Sequence, residues 1–505
     1  MRTLSGDNAP SRTAPGSSRP PPLRLDPQHT MSSDVRKPPA PAGLPASDRK
    51  EAPSSRIGRI ARLGALVPKA LPVAVEGARR ALGVKRTEDE ERRARQVAYE
   101  EAKKTGKALL KTLGEMKGLP LKIGQMFSYI DGLAPPGYED KVQRLLRQLQ
   151  DKAPPLSPEA AERIVLQDFG TPPDQLFFSW ERQPFAAASL GQVHRAVTRT
   201  GDHVAVKVQY PGIDKALQND LKSLSVLESF VSPLSRQYQS KQTLEEIKRV
   251  FLDELDYGLE AENADLFRRI TSDLPAVVIP RVHHSLSSRR VLTAQLLDGV
   301  GYEPFCKEAS QQERDAAGVT IWTFMFRSLL RYGVMYADPH PGNYRFLGDG
   351  RVGFLDFGCV KVLPPEMIAG MKRYIRAAMD GDWVEFDRAC VEFLGFDPDD
   401  KASWDLYRSY TLELLMPITV SGTYRYTPES AREAVQFLVR GHRKMLKEPD
   451  GSLHLPAPIR MPFDLTFVNR LQWGLASILG GLRTEGRFRE LVEPWVREDL
   501  WSVGG

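Results

Sequence analysis

Residues 331–358 read RYGVMYADPHPGNYRFLGDGRVGFLDFG, and this stretch decides the fold. Four residues separate Asp338 from Asn343, and Asp356 begins the triplet Asp-Phe-Gly. Two short apolar runs around a Gly-Asp-Gly turn lie between Asn343 and Asp356, which is typical of a β-hairpin. The runs are residues 345–347 and 352–355, and the turn is residues 348–350. The stretch therefore predicts a hairpin flanked by two carboxylates and one amide.

These three polar side chains suit phosphoryl transfer, which needs a carboxylate near the attacking oxygen and oxygen ligands for Mg²⁺. Asp338 would orient or deprotonate the nucleophile, while Asn343 and Asp356 would hold the metal that bridges the phosphates of ATP. The spacing is that of a kinase catalytic loop, D-x-x-x-x-N, followed by D-F-G. A D-F-G triplet alone also fits a hairpin with acidic turn residues. An apolar helix, the loop, the hairpin and the triplet in this order are specific.

The composition is that of a globular protein, and 505 residues suffice for two or three domains. The net charge of +6 lies mostly in residues 1–60, which hold ten Lys or Arg and five Asp or Glu. The remainder is close to neutral, so no nucleic-acid-binding core is indicated. Cys306, Cys359 and Cys390 form no C-x-x-C pair, which disfavours a disulfide framework or a zinc knuckle.

The segment before the predicted domain divides into three parts. Residues 1–55 are rich in Pro, Ser and Ala and are expected to be disordered. Residues 56–67 (RIGRIARLGALV) fit either a basic helix on an anionic membrane or a helix packed on the domain behind it. Residues 87–118 predict a charged helix. Lys122 and Gln125 follow in the tetrapeptide Lys-Ile-Gly-Gln, three residues apart on one helix face.

A β-rich region follows a helix predicted over residues 158–169. Residues 203–209 (HVAVKVQ) predict a strand in which Lys207 stands as in the kinase motif V-A-I-K, whose lysine contacts phosphates. The alternative is an edge-strand charge that keeps the strand soluble. Residues 185–194 predict a small-residue loop with Ala186, Ala187 and Ala188 where a kinase has glycines. Alanine favours helical geometry, so the nucleotide should be held differently and ordinary protein-kinase activity is disfavoured.

Helices are predicted over residues 214–230 and 241–270, and the second contains Glu254, Asp256 and Glu260. Kinases pair a helix glutamate with the strand lysine, and Glu260 is the candidate here, against the alternative of a solvated acidic face. Strands at 277–282 and 290–297 lead to the expected hinge, and a helix at 310–333 leads to the catalytic loop. The later helical windows are 384–394, 404–415, 428–446 and 468–478.

Four motifs together resemble the UbiB/AarF family of atypical kinase-like proteins. The motifs are Lys122 to Gln125 (K-x-G-Q), the alanine-rich loop Ala186 to Ser189, Glu254 to Asp256 (E-x-D), and Asp338 and Asn343 with Asp356. The first two distinguish the chain from ordinary kinases. The resemblance covers about residues 85–400.

The resemblance implies an α+β, atypical protein-kinase-like fold of two lobes, with an N-terminal helical K-x-G-Q extension across the active site. Lys122 would then contact Glu254 and Asp256, and Lys207 would pair with Glu260. The residues assigned to catalysis are Asp338, Lys207, Glu260, Lys122, Gln125, Glu254 and Asp256. Those assigned to nucleotide binding are Ala186, Ala187, Ala188, Ser189, Lys207, Gln295 and Leu297, and those assigned to the metal are Asn343 and Asp356.

The predicted organisation has four parts. Residues 1–55 form the tail, 56–157 the helical extension, 158–299 the N-terminal lobe, and 300–505 the helical C-terminal lobe with the catalytic loop.

The resemblance implies a Mg-ATP-dependent ATPase that supports isoprenoid quinone or lipid metabolism. Two alternatives stay open, a phosphotransferase acting on a small molecule or protein and a non-catalytic nucleotide- or lipid-binding scaffold. No run reaches the roughly 18 apolar residues of a membrane span, and bacterial members often carry such spans near the C-terminus. We therefore expect a cytoplasmic protein and leave peripheral contact with the inner membrane open.

Overall fold

The computed structural model describes residues 157–188, 190–215, 217–218, 249, 252–430 and 464–500. Several predictions lie outside these residues: the tail, the helix at 56–67, the charged helix, and Lys122 and Gln125. Ser189, most of the predicted helix 214–230, the start of the helix 241–270 and most of the helix 428–446 lie outside them as well.

A five-stranded antiparallel sheet forms the first lobe. Its strands follow the order β1, β3, β4, β6. Strand β2 pairs with residues 191–193 of β3, and β1 pairs with residues 196–197 of the same strand. The predicted strand at 203–209 matches β4, which has neighbours on both sides. Lys207 therefore lies on a central strand, and the edge-strand alternative is wrong. The strands are β1 Ser179–Trp180, β2 Ala186–Ala188, β3 Gly191–Val197, β4 His203–Gln209 and β6 Val291–Gln295.

The two faces of this sheet have different roles because side chains alternate along a strand. Val204, Val206 and Val208 of β4 are buried in a cluster with the apolar side of helix α1 (Pro158–Phe169). Lys207 lies between these valines in sequence and so faces the other lobe. Helix α1 matches its predicted range and ends at Gly170, which adopts a left-handed φ of 66°. A short helix α2, Pro173–Leu176, follows.

The alanine segment is a β-strand, which corrects the prediction of a loop with helical preference. Ala186 to Ala188 pair in register with Val193 to Gly191 of β3. The backbone hydrogen bonds of this hairpin outweigh the weak intrinsic preference of alanine for helix, which tertiary context routinely overrides. A side chain at Gly191 would collide with the carbonyl of Val208, so only glycine fits at this end of the hairpin.

Helix α3 (Tyr257–Ile270) starts later than the predicted helix 241–270. Asp256 is its N-cap, and its Oδ1 accepts hydrogen bonds from the backbone amides of Gly258 (3.0 Å) and Leu259 (3.4 Å). Aspartate satisfies unpaired amides well at this position, which is why the helix begins here. The predicted strand at 277–282 shortens to β5, Val277–Val278.

The second lobe is built around α5 (Gln311–Tyr332). Ser310 and Glu313 form a reciprocal capping box at its start, and Gly333 ends it with a φ of 68°. Most of its length is buried in the main hydrophobic core. The chain then forms β7, and the predicted hairpin follows as β8 and β9, with β5 paired in parallel to β9. The bounds are α4 Tyr302–Glu308, β7 Val334–Tyr336, β8 Tyr344–Phe346 and β9 Val352–Phe354.

The segment after the Asp-Phe-Gly triplet is short. Strand β10 (Val360–Val362) pairs with β7 directly behind the catalytic loop. Helix α6 then begins at Pro365, so only residues 359–364 separate Gly358 from the next helix.

Helices α8 (Lys401–Thr419) and α9 (Asp464–Leu482) extend beyond the predicted windows 404–415 and 468–478, whereas α7 (Trp383–Glu392) ends two residues before its window 384–394 does. Helix α9 packs on the catalytic loop. A Cβ atom at Gly474 of α9 would overlap the ring of Pro339, the residue after Asp338. Lys361 of β10 also pairs with Asp464 at the start of α9, at 2.6 Å. The bounds are α6 Pro365–Asp380, α7 Trp383–Glu392, α8 Lys401–Thr419, β11 Tyr424–Arg425, α9 Asp464–Leu482, β12 Glu485–Gly486 and α10 Phe488–Arg497. In the described part of the chain, no helix combines the length and apolarity needed to cross a membrane.

Replacing Gly474 with alanine should destabilise the protein by about 1–3 kcal/mol, because the added methyl group overpacks the contact with Pro339. The sign of the change in the free energy of unfolding is informative, because alanine in place of glycine normally stabilises a helix. Urea unfolding of Gly474→Ala would measure the change. Ser477→Ala, at an exposed position of the same helix, is the control and should leave the free energy of unfolding nearly unchanged. An equal or higher stability of Gly474→Ala would contradict the close packing.

Candidate active site

Lys207, whose side chain is 15% exposed, links the two lobes. The Nζ atom of Lys207 lies 2.9 Å from both carboxylate oxygens of Glu260 and 3.3 Å from Oδ2 of Asp356. Strand β4 supplies the lysine, the first turn of α3 supplies the glutamate, and the chain after β9 supplies the aspartate. The contact predicted between Lys207 and Glu260 is therefore present, and the aspartate of the triplet joins it.

Two buried glutamates lie beside the triplet that carries Asp356. A Cβ at Gly358 would lie 3.7 Å from Oε2 of Glu260 and 3.9 Å from Cγ of Glu254, so both glutamates adjoin the triplet. Glu254 and Glu260 are only 7% and 4% exposed. Helix α3, the segment before it and the chain after β9 thus bring three carboxylates to the neighbourhood of Lys207.

Desolvation and neighbouring charges shift the pKa values of Glu260 and Lys207. Burial, with added repulsion from Asp356 and Glu254, raises the pKa of Glu260 to about 7, although Lys207 opposes the shift. Burial alone would lower the pKa of Lys207, but Asp356 and Glu260 raise it well above its ordinary value. The lysine therefore stays charged, while the raised pKa makes Glu260 easier to protonate than an exposed glutamate.

Sequence reasoning missed Tyr257, the first residue of α3. The Lys207 ammonium lies 4.8 Å from the centroid of its ring, within the range of a cation–π contact. The tyrosine is 1% exposed, and burial raises the pKa of its hydroxyl. The sequence signal for this contact was an aromatic residue directly after the Glu254–Asp256 motif. The ring faces the lysine because the helix starts at Tyr257, and the sequence alone did not predict that start.

The catalytic loop holds Asp338 and Asn343 together. The side-chain amide of Asn343 donates to the backbone oxygen of Asp338 at 3.0 Å and to its Oδ2 at 3.3 Å. The backbone N–H of Leu355 donates to the carbonyl of Asn343 at 3.0 Å. This bond fixes the loop beside the strand end that carries Asp356, so the three residues assigned to base and metal occupy adjacent segments.

The triplet itself is anchored from both sides. The backbone amide of Gly358 donates to Oδ1 of Asp356 at 2.9 Å, which fixes the carboxylate. Asn263 of α3 donates its side-chain amide to the carbonyl of Phe357 at 3.0 Å. Phe357 is buried against Phe267 of the same helix. Helix α3 therefore positions both Glu260 and the triplet that carries Asp356.

Asn343 and Asp356 fit the demands of Mg²⁺, which prefers a few protein oxygens and completes its octahedron with phosphate oxygens and water. No group of three or more His, Cys, Asp or Glu arranged to hold a metal occurs among the residues described above. A metal held by these two side chains would take its remaining ligands from phosphate oxygens and water.

The predicted nucleotide-binding residues divide by sheet face. The register places Ala186 opposite Val193, which is opposite Lys207, so Ala186 lies on the lysine face, and Ala188 does too. Ala187 is exposed on the other face. Gln295 pairs with Val204 and also lies on the face away from Lys207, which leaves only its backbone available to a ligand in the cleft.

The other predicted residues also have definite places. Leu297 packs on the β8–β9 hairpin, since its Cδ1 would lie 2.6 Å from a Cβ at Gly353. Asp256 caps α3, and its Oδ2 lies 3.5 Å from Arg289 on the surface. The partner that the resemblance assigns to Glu254 and Asp256, Lys122, lies outside the described residues.

Comparisons with known proteins agree with this geometry. The family profile of the ABC1 atypical kinase-like domain matches residues 148–389. The Arabidopsis thaliana protein "ACTIVITY OF BC1 COMPLEX KINASE 1, chloroplastic" is 35% identical over 70% of this chain and 50% of its own length. The rat "Atypical kinase COQ8B, mitochondrial" is 29% identical over 80% of this chain and 76% of its own length.

A solved structure is similar as well. The Rv3197–erythromycin complex from Mycobacterium tuberculosis superposes with a TM-score of 0.55 at 27% identity, covering 79% of this chain and 97% of that one. This chain spans about half the length of the Arabidopsis relative and three quarters of the rat relative. The matched profile and these relatives show that the chain belongs to the ABC1 family of atypical kinase-like proteins, the UbiB/AarF family.

Proposed function

We propose that the chain binds Mg-ATP between its lobes and transfers or hydrolyses the terminal phosphoryl group. One observation carries this proposal: Lys207 contacts both Glu260 and Asp356. In kinases the strand lysine positions phosphates while the aspartate of D-F-G holds Mg²⁺. Asn343 would complete the metal site, and Asp338 would receive or orient the nucleophile. Kinase-like families generally use ATP with Mg²⁺, which is the cofactor pair proposed here.

The bound metal would neutralise the charge that develops on the transferred phosphoryl group. This chain's own residues would do the positioning. Lys207 would contact the phosphates from the sheet side, and the hairpin end would hold Asn343 and Asp356 on the opposite side of the cleft. Asp338 is only 9% exposed. The charge of a carboxylate that is largely shielded from water acts more strongly on a nearby nucleophile than the charge of a solvated one.

We propose that the acceptor of the phosphoryl group is a small molecule or water. Protein kinases carry a phosphorylatable activation loop between D-F-G and the following A-P-E motif. Here residues 359–364 provide six positions before α6, and three of them belong to β10. Helix α9 packs on Pro339 beside the catalytic loop. This arrangement leaves little backbone with which to align an extended peptide, which favours the ATPase or small-molecule alternatives.

We propose the metabolic pathway in which the chain acts from its membership of the family. Members of the UbiB/AarF family are associated with isoprenoid quinone and lipid metabolism, and the chain would support that metabolism through ATP turnover. By the same resemblance, the extension at 56–157 would bring Lys122 and Gln125 to Glu254 and Asp256 and would cover the cleft. A cytoplasmic protein that touches the membrane through residues 56–67 remains the predicted location.

Phosphate release from Mg-ATP by the purified protein, with and without anionic liposomes, tests the function. Release that increases with liposomes is the expected result, because the proposed substrate pathway is lipidic. Binding of ATP without release under either condition would contradict the ATPase and would favour a phosphotransferase that needs its acceptor. Absence of both binding and release would contradict the nucleotide site itself.

Asp356→Asn should abolish detectable binding of Mg-ATP, because the carboxylate is the only charged residue of the two proposed metal ligands. Isothermal titration would measure the affinity, and circular dichroism would show that the fold is retained. Asp349→Asn is the matched control, since Asp349 lies at the exposed turn of the same hairpin with a φ of 51°, which asparagine tolerates. An unchanged affinity in Asp356→Asn would refute the metal assignment.

The affinity for Mg-nucleotide should rise as the pH increases from about 6 to about 8. The pKa of Glu260 is raised to about 7, so the unbound site carries a proton at the lower pH. A cation at Asp356 favours the ionised glutamate, so binding releases that proton. Titrations at several pH values would compare the wild type with Glu260→Gln and with Glu262→Gln, an exposed residue of the same helix.

The protonation of ATP itself contributes equally to all three proteins in this series. Glu260→Gln should therefore show the weaker pH dependence, while Glu262→Gln should match the wild type. The same slope in Glu260→Gln and in the wild type would mean that Glu260 does not titrate with binding.

A further inference from the structure

Arg345 has no role in the site as described so far. It is the central residue of β8, between Tyr344 and Phe346, which are both buried in the main core. Because neighbouring side chains on a strand point to opposite faces, Arg345 points away from that core. Its partner across the hairpin is Gly353 of β9, which has no side chain to cover it.

The neighbours of Arg345 belong to the predicted hinge. A Cβ atom added to Gly299 would lie 3.3 Å from the Cβ of Arg345, and one added to Gly353 would lie 3.5 Å from it. Leu297 packs on the same glycine of β9. The backbone of Val300 pairs with Phe346, which holds the segment after β6 against this end of β8. Two glycines thus make room for the arginine stem where the connection between the lobes meets the hairpin.

Among the residues that the structure describes, no carboxylate forms an ion pair with the guanidinium group of Arg345. Its Nη1 atom donates a hydrogen bond to the carbonyl of Tyr344 at 2.9 Å. The residue is half-buried, so its guanidinium group is partly removed from water. A partly desolvated cation without a counter-charge gains more from an added ligand than a solvated one does.

We propose that Arg345 forms the floor of the base subsite, where its guanidinium plane stacks under the purine of the bound nucleotide. This inference rests on the proposed function. Guanidinium groups stack on aromatic faces and recognise bases through their planar surface. Lysine, a compact and strongly hydrated cation, would not reproduce this contact.

The position along β8 favours the base over the phosphates. Asn343, proposed to hold the metal at the phosphates, directly precedes β8, and Arg345 follows two residues later, or roughly 7 Å along a strand. The direction from Asn343 to Arg345 leads toward Leu297 and Gly299 at the hinge. A nucleotide with its phosphates at Lys207 and Asn343 and its base at the hinge would therefore pass over Arg345.

The test compares the affinities of Mg-ATP and adenosine for the full-length wild type, Arg345→Ala and Arg345→Met, by isothermal titration. Arg345→Ala should weaken both ligands by roughly tenfold, because the base contact is common to them. Arg345→Met keeps a long stem without the cation, and its affinities should fall between those of the wild type and Arg345→Ala. Arg351→Ala is the control, since Arg351 is an exposed arginine of the same hairpin, and it should bind as the wild type does.

Three results would overturn the proposal. Equal affinities in all the proteins would show that Arg345 makes no contact, and tighter binding by Arg345→Met would show that the cation contributes nothing. Weaker binding of ATP with unchanged binding of adenosine would show that Arg345 contacts the phosphates and not the base. A wild type that binds neither ligand would instead refute the proposed nucleotide function, so the two failures are distinguishable.

Discussion

The structure of the cleft depends on one ammonium group. Lys207 lies on the central strand of the first lobe and is shared between Glu260 of the α3 helix and Asp356 of the second lobe. The side chains of Lys207 and Glu260 are only 15% and 4% exposed, so removing the lysine would leave the glutamate desolvated without its cation, which destabilises proteins. The three elements must therefore hold their relative positions for the pair to form, and the sheet register, the start of α3 and the β8–β9 hairpin all serve that requirement.

The carboxylates around this lysine connect the fold to the proposed chemistry. Glu254 and Glu260 are buried beside the triplet that carries Asp356, and burial together with repulsion from Asp356 and Glu254 raises the pKa of Glu260. In the function proposed above, a metal-bound nucleotide would bring a cation to Asp356 and phosphates to Lys207. Perturbed pKa values of this kind are common at functional sites.

Local patterns predicted the strand at 203–209, the hairpin around Asp349 and the helix that ends at Gly333, because each has alternation, turn glycines or caps within a few residues. The alanine segment was predicted wrongly, since pairing with β3 decides its conformation and no local signal reports that pairing. Tyr257 and Arg345 were missed for a related reason. Their roles depend on where a helix starts and on which face of a hairpin is covered, and both are properties of tertiary packing.

A crystal structure with Mg²⁺ and a non-hydrolysable ATP analogue tests the central claim most directly. The account predicts the metal between Asn343 and Asp356, phosphate oxygens within hydrogen-bonding distance of Lys207, and Glu260 still paired with that lysine. A nucleotide bound outside the cleft would contradict the account. So would a metal held by other side chains, even if the fold remained unchanged.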